Sequence, residues 1–349
     1  MPKEIHSASE YEDSETEEDN KSPQPTVLDT LTGVQSSVRH QIQDDFKPDK
    51  IDADEDLVKG LDPNSEHISL IHLKIQFLED LHLNKFPKLK VLNLRQNLIE
   101  DIHEVKNISD DLEELDLYDN RIKHISSRLN LKIKLITLDL SFNLIKNIKN
   151  IENLINLKNL YFIENKISEI TNISHFENLQ VLELGGNRLK KIDNLPLNLR
   201  ELWIGKNRIS KLENISHLKN LKILSIQSNR LTKIENLPPG LTELYLSHNG
   251  ISKLENLDEL KNLEILDITS NPIKTLENVK QLKNLTDLWA SYCKFDSFKD
   301  VEEQLKDNEN LETVYLEGSP LHLQNVTSYR RKIILLLPQI EKLDATYVR

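Results

Sequence analysis

Apolar and polar positions follow one phrase through most of the chain. Leucine or a close substitute holds the first, fourth and sixth places, polar residues dominate the gaps, and an asparagine closes the phrase at the ninth. The closing residues are Asn97, Asn120, Asn143, Asn165, Asn187, Asn207, Asn229, Asn249 and Asn271, spaced 20 to 23 residues apart. The fourth and sixth places, as in Leu138 and Leu140 or Leu182 and Leu184, alternate as a short strand does. Both leucines then face one side, and the residue between them faces the other. Where the chain leaves the strand, the Asn amide can donate and accept, satisfying backbone groups that would otherwise be buried unpaired.

One such unit cannot bury its own leucines, so a core forms only when neighbours stack. The period predicts an α/β leucine-rich repeat solenoid, a curved horseshoe with a parallel sheet on its concave side. Twelve strand phrases are expected, their central pairs running from Ile71 and Leu73 to Val314 and Leu316. Gln76, Cys293 and Ser319 stand where the end units lack the Asn, as capping repeats should. A second signal, Ile209 to Ile215 or Ile251 to Leu257, is too short for a long helix and predicts a 3₁₀ or α turn on the convex side. Two units shorten it to Asn194-Leu195-Pro196 and Asn236-Leu237-Pro238-Pro239, where proline favours a tight extended or turn connection. The expected organisation is an acidic tail over 1–45, an N-terminal cap over 46–66, repeats over 67–325 and a C-terminal cap over 326–349.

Charge sharpens that division. The chain of 349 residues has a formal net charge of −12, yet residues 1–66 hold 18 acidic and 6 basic residues, which leaves 39 of each in the remainder. The whole excess is N-terminal. Seven carboxylates lie within residues 10–19, too polar a stretch to offset its ordering entropy, so disorder is expected there. One cysteine excludes an internal disulfide and fits a reducing compartment. The first ten residues lack the apolar run of a signal peptide, and the longest apolar run, Ile333 to Leu337, is too short to span a membrane. A soluble protein of the nucleus and cytoplasm is expected.

The repeat region is neutral as a whole but not face by face. The third and fifth places of each phrase point outward from the inner sheet, and the charged residues there are all acids: Glu114, Asp116, Asp139, Glu183, Glu201, Glu243, Asp267 and Asp287. Bases such as Lys146, Lys149, Lys190, Lys191 and Lys211 must therefore lie on the flanks and convex side. Rings gather at the fifth place as Tyr161, Trp203, Tyr245, Trp289 and Tyr315, including both tryptophans of the chain. Acids beside exposed rings compose a binding surface for a partner with a basic patch and an apolar notch. The same absence of bases speaks against nucleic acid on this face. No phosphate-cradling glycine loop, paired zinc histidines or nucleophile elbow occurs, so neither enzyme, cofactor nor metal is expected.

The ordered repeats, among them Leu115-Asp116-Leu117-Tyr118-Asp119-Asn120, Leu138-Asp139-Leu140-Ser141-Phe142-Asn143 and Tyr245-Leu246-Ser247-His248-Asn249, closely resemble the leucine-rich-repeat regulatory subunit of type-1 protein phosphatase. So does the end, with Glu312 to Glu317, Tyr329 to Ile333 and Leu343 to Thr346. The resemblance covers roughly 67–349. It implies a non-enzymatic subunit that clasps the phosphatase catalytic subunit through Asp139, Tyr161, Glu183, Trp203, Asp267, Asp287, Trp289 and Tyr315. It further implies a monomer before binding, a third inhibitor-type subunit joining the complex, and work in the cell cycle and chromosome segregation. Lys74-Ile75-Gln76-Phe77 fits the short pattern by which other regulators dock to this phosphatase, but its place in the first repeat predicts core packing. The rival reading is a scaffold of another complex, such as a ribonucleoprotein particle or a cytoskeletal adaptor, since a fold does not fix a function.

Overall fold

The computed structural model of the chain describes residues 54–348; the expected tail and the first residues of the expected N-terminal cap lie outside them. In every phrase, places three to five form a three-residue strand. These are β1 (His67–Ser69), β2 (Val91–Asn93), β3 (Glu114–Asp116), β4 (Thr137–Asp139), β5 (Asn159–Tyr161), β6 (Val181–Glu183) and β7 (Glu201–Trp203). The row continues with β8 (Ile223–Ser225), β9 (Glu243–Tyr245), β10 (Ile265–Asp267), β11 (Asp287–Trp289) and β12 (Thr313–Tyr315). All pair in parallel, each with its sequence neighbours, and the sheet ends on β13 (Lys342–Leu343), parallel to β12, and an antiparallel β14 (Thr346–Tyr347). The leucines at places one, four and six form the core: Leu179, Leu182 and Leu184 have no exposed surface. Each such side chain contributes about 1.5–3 kcal/mol of burial.

The ninth-place asparagines form the expected ladder. Asn143 is representative: its Nδ2 donates to the carbonyls of Leu117, Leu140 and Ser141, and its Oδ1 accepts from the N–H of Ile122 in the repeat before. Cys293 keeps part of that pattern by donating its thiol to the Ile268 carbonyl at 3.2 Å, and burial pushes the thiol's pKa up to about 12. At the next rung the Ser319 hydroxyl donates to the Leu316 carbonyl, while Asp344 accepts from the N–H groups of Leu316 and Glu317. Tyr329, buried in the C-terminal helix Tyr329–Leu336, donates its hydroxyl to the same carboxylate and so ties the cap to the last repeat.

The residue just before the ninth place is left-handed: Gln96, Asp119, Phe142, Glu164, Lys206, Ser228, His248 and Ser270 before an Asn, and Tyr292 before Cys293, all have φ between 50° and 59°. For residues other than glycine this costs about 1–2 kcal/mol each. The turn is held because each of these N–H groups donates to a carbonyl of the following repeat, as Glu164 does to Gly185 and His248 to Thr269. At Gly186 and Gly318 the missing Cβ also leaves room for the Glu164 carboxylate and the Tyr292 ring, which lie within 3 Å of where it would be.

The first strand departs from expectation by three residues. Ile68 pairs with Leu92, so Ile68 and Leu70 enter the core, whereas Ile71 and Leu73 are 43% and 40% exposed. Leu73, not Gln76, takes the ninth place, and Asn97 Oδ1 accepts from the N–H groups of both Leu73 and Ile75. Ile75 is fully buried, so the Lys74–Phe77 stretch is part of the repeat and not a free docking peptide.

On the convex side, 3₁₀ turns occur early, at Leu78–Leu81, Leu83–Lys85, His103–Asn107 and Ser127–Leu131, and an α-helix late, at Phe298–Leu305. The repeats between them use a second asparagine ladder instead. Asn150, Asn172, Asn194, Asn214, Asn236, Asn256 and Asn278 are left-handed. Each Nδ2 donates to a carbonyl of the preceding repeat, from Ile125 for Asn150 to Leu254 for Asn278. Asparagine is the residue other than glycine that tolerates this conformation best, and its amide compensates the bend. The two proline-shortened repeats retain it through Asn194 and Asn236, with Pro196 and Pro238 buried just beyond. Lys132 enters the core on this side, its Nζ donating to the carbonyls of Ile108 (2.5 Å) and Lys106 (3.3 Å) and to Asp110 (2.9 Å).

Candidate functional site

Strand pairing turns the repeat phrase into two straight columns on the inner face. The fifth-place column runs Asp116, Asp139, Tyr161, Glu183, Trp203 and Ser225, then Tyr245, Asp267, Trp289 and Tyr315, each residue directly paired with the next. Seven of the eight expected contact residues stand in it. The eighth, Asp287, belongs to the third-place column, between Ile265 and Thr313.

Local chemistry orients each side chain. The aspartates of the column turn one oxygen back to the strand: Asp116 accepts from the N–H of Tyr118, Asp139 from Ser141 and Asp267 from Thr269, at 2.8–3.0 Å. That closure needs the short Asp side chain. Two of the rings are tethered by a glutamate of their own strand, two residues earlier. Trp203 Nε1 donates to Glu201 at 3.1 Å, and the Tyr245 hydroxyl donates to Glu243 at 2.7 Å.

The rings reach across the small residues between them. Trp203 stacks on Tyr245 with centroids 6.0 Å apart, passing over the buried Ser225, and Tyr245 meets Trp289 at 6.0 Å, tilted by 51°, beside the buried Asp267. Trp289 Nε1 is buried without a hydrogen-bond partner. Beyond it, Trp289, Asp287, Tyr315 and Lys342 line a concavity of about 310 Å³.

Electrostatics differ along the column. Burial pushes the Asp116 carboxyl up to about 6; the Tyr118 N–H and the Arg95 guanidinium oppose that rise, while the neighbouring Asp139 reinforces it. Burial raises Glu183 also, followed by the charges of Asp139 and Glu201. Tyr161, between Asp139 and Glu183, is raised by burial first and by those carboxylates second.

The structure adds two bases to a face whose third and fifth places contain none. Arg95 lies 3.5 Å from the Asp116 carboxylate and 4.1 Å above the Tyr118 ring, which in turn meets Phe142 at 4.8 Å. Lys342, on β13, stands 5.5 Å above Tyr315. Arg95 follows its strand by two residues, and β13 has no repeat phrase, so a census of third and fifth places could find neither. Among the described residues no cluster of histidine, cysteine and carboxylate side chains could hold a metal, and no helix is long and apolar enough to cross a membrane.

A parallel sheet of short strands, two Asn ladders and an outward row of acids and rings define a leucine-rich-repeat protein. The two-copy leucine-rich repeat family matches residues 197–239 and 239–281. The chain is similar in fold to an internalin, InlF of Listeria monocytogenes, with a TM-score of 0.62 over 80% of this chain and 87% of that one at 21% identity. It is 54% identical over 322 residues to the protein phosphatase 1 regulatory subunit SDS22 of Saccharomyces cerevisiae, covering 89% of this chain and 95% of that protein. The protein phosphatase 1 regulatory inhibitor subunit PPP1R7 homolog of Arabidopsis thaliana is 38% identical over 141 residues, 39% of this chain and 42% of that one. The chain belongs to the SDS22 family of protein phosphatase 1 regulatory subunits; its relatives are regulators, not enzymes.

Proposed function

We propose that the inner sheet binds the catalytic subunit of type-1 protein phosphatase, with Trp203, Trp289, Tyr161 and Tyr315 as anchors and Asp139, Glu183, Asp267 and Asp287 as steering and specificity groups. The observation that carries this reading is the register of acids and rings over β4 to β12, interrupted at Ser225 alone and bridged there by the stacking of Trp203 on Tyr245, which presents one strip to a partner. Rings that are already stacked lose little freedom on binding, and acids at the edge of a desolvated strip raise the association rate. The sheet carries no group for phosphate hydrolysis, so regulation acts by occluding the partner, biasing its conformation or retaining its metals. The protein is a monomer before binding, leaves room in the complex for a third, inhibitor-type subunit, and works in the nucleus and cytoplasm during chromosome segregation.

The test is calorimetric titration of the full chain with the phosphatase catalytic subunit, beside an Asp267→Ala, Trp289→Ala double variant. Saturable binding by the wild type, lost in a variant that unfolds at the same temperature, is expected. Absence of wild-type binding would overturn the assignment.

A further inference from the structure

The charged residues at the inward third and fifth places are all acids, and part of the chain's bases gather elsewhere in a regular pattern. The residue after the ninth-place Asn is basic in four consecutive repeats, as Lys166, Arg188, Arg208 and Arg230. Their backbone N–H groups donate to the preceding repeat at Ile145, Ile167, Leu189 and Ile209, so they form consecutive rungs. Neighbouring rungs are about 4.8 Å apart, the strand spacing. The row is bounded by Leu144 before it and Gly250 after it. Three residues after Arg188, Arg208, Arg230 and Gly250 lies a second row, Lys191, Lys211, Lys233 and Lys253, all exposed, whereas the repeat of Lys166 has Glu169 at that place.

Side chains held in ion pairs would have no charge to offer. Among the described residues no carboxylate lies within ion-pair distance of Lys166, Arg188 or Arg230, nor of any lysine in the second row. Between two adjacent repeats, Arg230 of the first row and Lys211 and Lys233 of the second line an open groove of about 560 Å³, together with Glu213 and Glu235.

We infer that this basic flank is a second interaction surface, separate from the inner sheet, which takes an extended acidic segment of a partner protein. An extended strand directs alternate side chains to opposite sides, so an acidic run lying along the groove meets both rows. The three repeats that carry both rows span about 10 Å, which three or four extended residues cover. A phosphate backbone fits less well, because its unbroken negative charge would run past Glu213 and Glu235, whereas a peptide can place a neutral or basic residue opposite each. Contacts between exposed charges are individually weak, so affinity comes from several rungs acting together and falls with salt.

The probe is a fluorescein-labelled peptide of alternating glutamate and serine with eight glutamates, titrated into the full chain and followed by anisotropy at low salt and at about 0.15 M salt. A single-stranded oligonucleotide of equal charge is run in parallel. Saturable binding of the peptide is expected, weakened about tenfold or more in an Arg188→Glu, Lys211→Glu, Arg230→Glu, Lys233→Glu variant whose thermal unfolding matches the wild type. The Asp267→Ala, Trp289→Ala variant should bind the peptide as the wild type does, which separates this result from the fate of the phosphatase reading. Equal peptide affinity in wild type and flank variant, no binding by the wild type, or tighter binding of the oligonucleotide than of the peptide would each overturn the inference.

Discussion

From β3 to β6 the fifth-place column carries Asp116, Asp139, Tyr161 and Glu183; from β7 to β12 it carries Trp203, Ser225, Tyr245, Asp267, Trp289 and Tyr315. In the second stretch small residues fill the gaps in the ring series at Ser225 and Asp267, so the rings lean over them and touch at 6.0 Å. In the first stretch the acids have no such spacers, and crowding adds to burial in raising Asp116 and Glu183. One backbone therefore supports a packed half, whose cost of ordering is already met in the free chain, and a charged half held in mild electrostatic conflict. A basic partner would relieve the second and cover the first.

The largest effect is expected in the packed half. Trp203→Ala removes the first ring of the row and leaves Tyr245 stacked on one side only. It should weaken phosphatase binding by about 2 kcal/mol or more, roughly thirtyfold, while shifting the unfolding temperature little, because the ring lies outside the leucine core. Calorimetry and a melting curve on the same variant separate the two. A loss of stability matching the loss of binding would make the row a structural brace.

A smaller effect belongs to the charged half. The folded chain keeps Asp116 protonated up to about pH 6, against 3.8 for an ordinary aspartate. Its contribution to stability is therefore complete below about pH 4 and is lost as the pH rises through about 6. Asp116→Asn should flatten that stretch of the stability profile and stabilise the free chain at pH 7 by about 1 to 2 kcal/mol, discounted for the water that still reaches the carboxylate. A basic partner favours the ionised form, so wild-type affinity should rise with pH through the same range. Chemical denaturation and calorimetry at pH 5 and pH 7.5 read both; an unchanged profile in the variant would remove Asp116 as the source.

This difference was legible in the sequence because strand register and repeat register coincide. Once the ninth-place Asn is fixed, each third and fifth residue has a known neighbour on either side, and the column can be written down before any coordinate is known. The legibility fails where the phrase is ambiguous or missing. Ile68, Leu70, Ile71 and Leu73 offer two overlapping strand pairs, and Gln76 imitates the Asn; the choice is made by Asn97, whose amide oxygen binds Leu73 and Ile75. The second Asn ladder was visible as a spacing but not as a function, because the same Ile-x-x-Ile pattern also suits a helical turn. Register with the neighbouring repeat, which only stacking supplies, decides it.

Lys342 is the sharpest case of the last kind and gives the smallest expected effect. It reaches the inner face only because β13 pairs with β12, placing it beside Thr313 and over the ring of Tyr315. Contact with Tyr315 holds its ammonium above the usual lysine range. It is a base at the C-terminal end of a strip otherwise suited to a basic partner, so it should oppose that partner slightly and limit how far the interface extends. Lys342→Glu should accelerate association at low salt by no more than a few-fold and leave dissociation nearly unchanged, with the difference vanishing as salt rises. Stopped-flow association at two ionic strengths measures this. Slower association would show that the ammonium meets an acidic feature of the partner, in which case the strip has a polarity, anionic over β3 to β11 and cationic at its far end.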